Sequence, residues 1–320
     1  MARIPIQLVF GILLFRENIT KSRHEAASVL HGINVSGLGI YRAEYDIVNL
    51  LLPLDNVNFN EYEEKESDSN LLFFVLADNE NGQKIDKGLF ALKQGKVTKL
   101  LDYGRDAAAG NDETNIYFGA KDGLYFYNQE DNKAEKYGNI TDSIISIAKF
   151  NGSDIIYILT EDHILYKVTQ GGMRKEKIEE AVNAQKIVLD YKNNLYYYTT
   201  DKHVYILGPD GAKKVTGLVE EPAYIDILRP PLVVGDGIPV ILDHAVYMVS
   251  SDGTSKISDY EFEIRPTAFS LDATLIQYFA YNKKIYEYNI LSLLFHQLTD
   301  DSVNNVSDHQ YVDFSEEMSR

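Results

Sequence analysis

Short apolar runs alternate with polar turns along most of the chain, and one arrangement recurs. Between Asp112 and Gln129 an apolar run, Ile116 to Phe118, is followed by a polar turn carrying Asp122-Gly123 and by a second apolar run, Leu124 to Tyr127. Tyr, Phe and Ile suit a pleated, half-buried surface, and Asp-Gly tolerates the positive φ of a tight turn, so the stretch predicts a β-hairpin. Its second half aligns with Gly88-Leu89-Phe90, Ile164-Leu165-Tyr166, His203-Val204-Tyr205, Ala245-Val246-Tyr247 and Lys284-Ile285-Tyr286. The six aromatic anchors are separated by 35, 41, 39, 42 and 39 residues. Partner runs precede them at Leu72 to Phe74, Ile116 to Phe118, Ile156 to Ile158, Leu195 to Tyr197 and Ile276 to Tyr278. In the fifth unit the partner is Ile238-Pro239-Val240-Ile241, whose Pro lacks a ladder donor, so a distorted or edge strand is expected there.

Two further runs complete each unit. Downstream lie Val97 to Leu101, Ala134 to Tyr137, Lys175 to Ile178, Lys213 to Leu218, Ser255 to Ile257 and Phe295 to Leu298. Upstream lie Val57 to Tyr62, Ala107 to Asn111, Ile144 to Lys149, Gln185 to Leu189, Tyr224 to Leu228 and Thr267 to Leu271. Four short strands about every 40 residues is the spacing of a propeller blade. The pattern therefore predicts an all-β fold, a six-bladed β-propeller of four-stranded blades. A single β-sandwich rarely runs past roughly 250 residues and would not repeat one hairpin six times.

The expected organisation is a signal-like apolar segment and irregular arm over 1–45, the propeller over 46–298 and an acidic flexible tail over 299–320. Met1 to Phe15 carries one early Arg and an apolar run of secretory length, which predicts export, although no small-residue cleavage site follows at once. Arg16 to Arg42 has no period and is expected to be loop. Ile47 to Leu54 is an apolar run placed to pair with the last blade and close the ring, with Ser292 to Leu298 as its competitor for the outermost strand. Sequons stand at Asn18, Asn34, Asn139, Asn151 and Asn305, and Asn151, at a turn, is the most plausible acceptor.

The chain has 320 residues, enough for one large core, with 23 Tyr, 14 Phe, no Trp and no Cys. The missing Trp argues against the WD-type repeat, and the missing Cys excludes disulfides, thiolate zinc sites and thiol nucleophiles. A net charge of −17 repels phosphate backbones and anionic bilayers, so neither nucleic acid nor membrane is expected as a partner.

In a propeller, function gathers at the mouth of the central channel. Residues entering the inner strands face it: Asn56 and Asn58, Arg105, Ser143, Gln185, Tyr224 and Arg265. Two Arg, a Tyr and several polar groups around a funnel suit a planar anionic or aromatic small molecule, because guanidinium groups fork onto carboxylates and stack on rings. His163, His203 and His244, beside carboxylates in the turns between second and third strands, are weak metal candidates that should lie away from the axis. No nucleophile elbow, phosphate loop, dinucleotide fingerprint or His-Glu-x-x-His is present, and no catalytic residue or cofactor is assigned.

Asn70 to Phe74, Asp112 to Asn128 with its Ile-Tyr-Phe-Gly-x-x-Asp-Gly-Leu-Tyr core, Asp190 to Tyr197 and Lys284 to Tyr286 resemble the propeller group of regucalcin-like and NHL-type proteins. More closely they resemble the insect ommochrome-binding proteins, over roughly Leu50 to Asn289. That resemblance implies a secreted haemolymph carrier, monomeric and not catalytic, for a small aromatic, tryptophan-derived pigment. Two other readings stay open: a calcium-dependent lactonase or hydrolase of the regucalcin-like type, whose axial Glu, Asn and Asp set is not placed here, and a protein-interaction propeller.

Overall fold

A computed structural model of the chain describes residues 39–54, 70–110, 115–208, 210–262, 265–271, 273 and 276–289. Strand β1 (Gly39–Arg42) comes first and belongs to the last blade. Blade 1 holds β2 (Asp46–Leu51), β3 (Leu72–Glu80), β4 (Gln83–Lys93) and β5 (Lys96–Leu101). Blade 2 holds β6 (Gly104–Ala109), β7 (Ile116–Ala120), β8 (Gly123–Asn128) and β9 (Lys133–Lys136). Blade 3 holds β10 (Ile144–Lys149), β11 (Ile156–Thr160), β12 (Leu165–Thr169) and β13 (Arg174–Ile178). Blade 4 holds β14 (Ala184–Leu189), β15 (Leu195–Thr199), β16 (Val204–Gly208) and β17 (Gly211–Lys214). Blade 5 holds β18 (Ile225–Ile227), β19 (Ile238–Leu242), β20 (Ala245–Val249) and β21 (Ser255–Glu261). Blade 6 holds β22 (Ala268–Ser270), β23 (Ile276–Tyr281) and β24 (Lys284–Asn289), and β1 adds to β24 as its outermost strand. The fold is the expected six-bladed propeller of four-stranded antiparallel blades.

Three expectations are corrected. Gly39–Arg42 is a strand rather than loop, and it closes the ring by pairing with β24, so the propeller begins before residue 46. The apolar run at Ile47 does not close the last blade; Asp46–Leu51 is the inner strand of blade 1, the place expected for Val57 to Tyr62. Pro239 sits inside a central strand, paired to β18 on one side and β20 on the other. Its carbonyl accepts from the N–H of Leu228 at 3.0 Å, just past the end of the three-residue β18, so the missing proline donor deletes no bond within that ladder. The segments Met1 to Phe15, Val57 to Tyr62, Ser292 to Leu298 and Thr299 to Arg320 lie outside the described residues.

Among the described residues the core is six hydrophobic clusters, one at each seam between neighbouring blades. At the first seam Phe73 meets Phe118 at 5.2 Å and Tyr127 at 5.0 Å between ring centroids. Closure is also polar: Ser270 Oγ accepts from the N–H of Leu52 at 2.9 Å, and Thr267 Oγ1 donates to the Ile47 carbonyl at 2.6 Å.

In the hairpin that defines the repeat, Lys121 and Asp122 form the turn and the positive φ falls on Gly123, at 136°. The Asp122 carboxylate accepts from the Tyr125 hydroxyl at 2.6 Å and from Lys136 at 3.1 Å. A Cβ on Gly123 would fall 2.2 Å from the carbonyl oxygen of Ile140, whereas at Gly95, with φ of 70°, nothing lies within 4 Å. Gly123→Ala is therefore expected to cost about 2–3 kcal/mol of unfolding free energy, and Gly95→Ala only about 1 kcal/mol. Urea titration of both variants checks this, and equal losses would contradict it.

Candidate functional site

The inner strands of blades 1 to 4 share a register shift at their second or third position, where Val48, Arg105, Ile145 and Gln185 are extra residues. A bulge of this kind re-aims the residue that follows it. The following residues are Asn49, Asp106, Ser146 and Lys186, and in the unbulged blades 5 and 6 the same register position holds Asp226 and Ala268. Asn49, Asp106, Lys186, Asp226 and Phe269 line a narrow axial cavity of about 90 Å³.

These polar groups are bonded from blade to blade. Asn49 Nδ2 donates to Asp106 Oδ1, Asp106 Oδ2 accepts from the N–H of Ile147 at 2.7 Å, and Ser146 Oγ accepts from the N–H of Ile187 at 3.4 Å. Lys186 Nζ donates to Asp226 Oδ1 at 2.6 Å, with a third of its side chain still open to the channel. Burial pushes the Asp106 carboxyl above the ordinary carboxylate range, against the pull of the Ile147 N–H, the Lys186 charge and the Ser146 hydroxyl. For Lys186 burial works downward, but attraction to Asp226 and the hydrogen bond to it prevail, and the ammonium is held above its usual value.

Of the residues expected at the mouth, Arg105 meets Ser143 and Tyr224 meets Arg265, whereas Gln185 bonds to His163 and Thr200. Arg105 Nε donates to Asp86 Oδ2 at 2.6 Å and its Nη1 to Ser143 Oγ at 2.9 Å, with only 11% of the Arg105 side chain exposed. Ser143 passes the contact on to Glu161 Oε2 at 2.7 Å. Gln185 Nε2 lies 3.2 Å from His163 Nδ1 and donates to Thr200 Oγ1 at 3.0 Å. The Arg265 guanidinium stacks 3.5 Å above the Tyr224 ring. Asn56 and Asn58 lie outside the described residues.

The three His candidates stand in separate turns and do not converge. His163 Nδ1 bonds the Ala184 carbonyl at 2.8 Å and His244 Nδ1 the Phe262 carbonyl at 2.7 Å. His203 has Asp201 at Nδ1, 2.7 Å, and Glu220 at Nε2, 3.1 Å, so its two carboxylates flank opposite edges of the ring and cannot share one ion with it. Among the described residues no group of three or more His, Asp or Glu is placed to hold a metal.

Residue-entry reasoning missed Asp106 and Lys186 because a bulge moves the axial position one residue on from Arg105 and Gln185, missed Asn49 because the inner strand of blade 1 was expected at Val57 to Tyr62, and missed Ser146 and Asp226 because they lie further into their strands than Ser143 and Tyr224. A usable signal was present: a single polar or charged residue inside an otherwise apolar inner-strand run, as in Ile47-Val48-Asn49-Leu50 and Tyr224-Ile225-Asp226-Ile227. Lys84 was also missed. It shares a face of β4 with Asp86, which grips Arg105, so the long β3–β4 hairpin hangs Lys84 over the same mouth. Lys84 remains exposed, yet its ammonium lies within the field of Asp86, Asp106, Arg105 and Lys186, and desolvation within the funnel lowers its pKa.

A carboxyl with a raised folded pKa favours the fold below its unfolded value, about 3.9, and loses that contribution as pH rises through the folded pKa. Asp106→Asn removes this titration. The melting temperature of the variant relative to the parent is therefore expected to climb as pH goes from about 4 to neutrality. A pH-independent difference would contradict the assignment.

No protein-family model matches the chain, and no curated protein matches it in sequence. Solved structures do match. A Bacteroides thetaiotaomicron structural-genomics protein of unknown function aligns at 12% identity and a TM-score of 0.53, over 77% of this chain and 69% of that chain. The WD40 repeats of RRP9 align at 9% identity and a TM-score of 0.50, over 75% of each chain. At such identities the likeness is one of fold, and it extends to a WD-type propeller although this chain has no Trp.

Proposed function

We propose that this protein is a non-catalytic binding module that takes a small planar molecule across the channel mouth. The observation that carries this reading is the Tyr224–Arg265 stack, 3.5 Å from guanidinium to ring, standing beside the Lys186–Asp226 pair at the channel entrance. A stacked guanidinium presents a flat cationic surface on which a second π-system can lie. Drug-sized ligand sites usually enclose roughly 300–1,000 Å³, and the axial cavity, at about 90 Å³, is far smaller. The ligand therefore rests on the mouth, with at most a substituent entering the channel.

A tryptophan-derived pigment of the ommochrome type is the ligand class that the sequence resemblance adds, and its flat aromatic acid skeleton fits such a platform. A secreted setting follows from the same resemblance and from the apolar segment at Met1 to Phe15.

Absorbance titration of the purified chain with xanthommatin tests the reading. Saturable binding is expected, with Tyr224→Leu weakening it about tenfold through loss of the stack. No spectral change, or an unchanged affinity in Tyr224→Leu, would overturn it.

A further inference from the structure

The channel mouth between blades 4, 5 and 6 holds more hydrogen-bond donors than acceptors. Lys186 spends one N–H on Asp226 Oδ1, and no other hydrogen bond engages its ammonium among the described residues. Tyr198 pairs with Lys186 across the β14–β15 ladder, which puts both side chains on the same face of blade 4, towards Asp226. Tyr224 precedes β18 by one residue and carries Arg265 on its ring. Neither phenol hydroxyl has a hydrogen-bond partner among the described residues, and both lie within electrostatic reach of Lys186 and Asp226. Arg265 makes one long contact, 3.5 Å to the Asp243 carbonyl, which leaves most of its donors unspent.

Fewer acceptors than donors stand open here: among the described residues Asp226 Oδ2 and Asp243 Oδ2 receive no donor. Asp226 Oδ1 takes the N–H of Ile227 at 2.9 Å as well as Lys186. Asp106 has donors on both oxygens, and Asp243 Oδ1 takes the N–H of Tyr224 at 2.9 Å. Burial, followed by the Asp226 charge, pushes the Tyr224 phenol up to about 12, so it stays a hydroxyl donor at any physiological pH. The same two causes raise Tyr198.

Polar donors in a desolvated site are costly until an acceptor arrives. From Lys186, Tyr198, Tyr224, Arg265 and Lys84 together, the geometry points to an oxyanion subsite: the ligand of the mouth carries a carboxylate, seated between the Lys186 ammonium and the two phenol hydroxyls. This rests on the mouth being the binding site, and it adds the charge and the polar anchor of the ligand. The chain's own charge of −17 opposes anions in general, so a local convergence of these cations and hydroxyls makes such a subsite a selective device.

The test is calorimetric titration of the full chain with quinoline-2-carboxylate and with quinoline-2-carboxamide, which share a ring system and differ in the anion. The acid is expected to bind at least tenfold more tightly than the amide. Tyr224→Phe, which keeps the ring and its guanidinium stack, and Lys84→Met, on an exposed hairpin, are each expected to weaken the acid several-fold and the neutral amide clearly less. Equal affinity of acid and amide overturns the oxyanion subsite while leaving a planar-ligand platform standing. Failure of both probes and of the pigment to bind overturns the mouth as the binding site altogether.

Discussion

Each blade of this protein is a four-stranded sheet with apolar side chains on both faces, and neither face is covered until another blade lies against it. All six hydrophobic clusters straddle a seam, so the fold depends on closing the ring. The closing element is short: β1 contributes four residues to the edge of β24, backed by Tyr41 against Phe74 at 5.3 Å and by the Ala43 N–H to the Lys283 carbonyl at 2.7 Å. A strand from the start of the chain thereby covers an edge that would otherwise expose unpaired backbone groups. The polar axis is a second product of the same closure. Asn49 and Asp106, or Lys186 and Asp226, meet only because adjacent inner strands are held side by side.

The axis and the mouth differ in chemistry. Asp106 is saturated with donors and welds blades 1, 2 and 3 together, which makes it a structural group. Across the channel, Lys186, Tyr198 and Tyr224 keep donors in hand, and Arg265 lies over the Tyr224 ring. One half of the mouth is therefore locked by Arg105, Asp86, Ser143 and Glu161, and the other half is left with unsatisfied hydrogen-bonding capacity. Binding chemistry concentrates where that capacity remains.

How legible this was in the sequence depends on what each residue does. The hairpin repeat was readable because it is local: Gly123 and the Tyr125 ring are needed for the turn and the seam wherever the blade sits in the ring. Closure was not readable, because β1 is a short strand whose partner lies more than 240 residues away and whose burial is slight. Asp106 and Lys186 were displaced from Arg105 and Gln185 by bulges, which leave no mark in a pattern of period two. Arg105, Ser143, Gln185, Tyr224 and Arg265 were read one by one as residues entering their strands, and their bonding into separate bridges is a tertiary fact. The stretch Asp190 to Tyr197, which supports the sequence resemblance, turns out to be a stitched turn. Asp190 accepts from the N–H groups of Lys192 and Asn194, both at 2.9 Å, from Tyr196 Oη at 3.1 Å and from the Gly237 N–H of the next blade at 3.0 Å. Such a motif conveys fold and says little about ligand.

Because the natural chain has no Cys, the closure can be interrogated with a single engineered pair. Arg42 and Lys284 are register partners across β1 and β24, within the Cα separation a disulfide spans in an antiparallel pair. The decisive measurement is thiol content and melting temperature of Arg42→Cys/Lys284→Cys after mild oxidation. A ring closed by β1 predicts full loss of free thiols within the monomer and a raised melting temperature, whereas two thiols that stay free in the folded protein would contradict it.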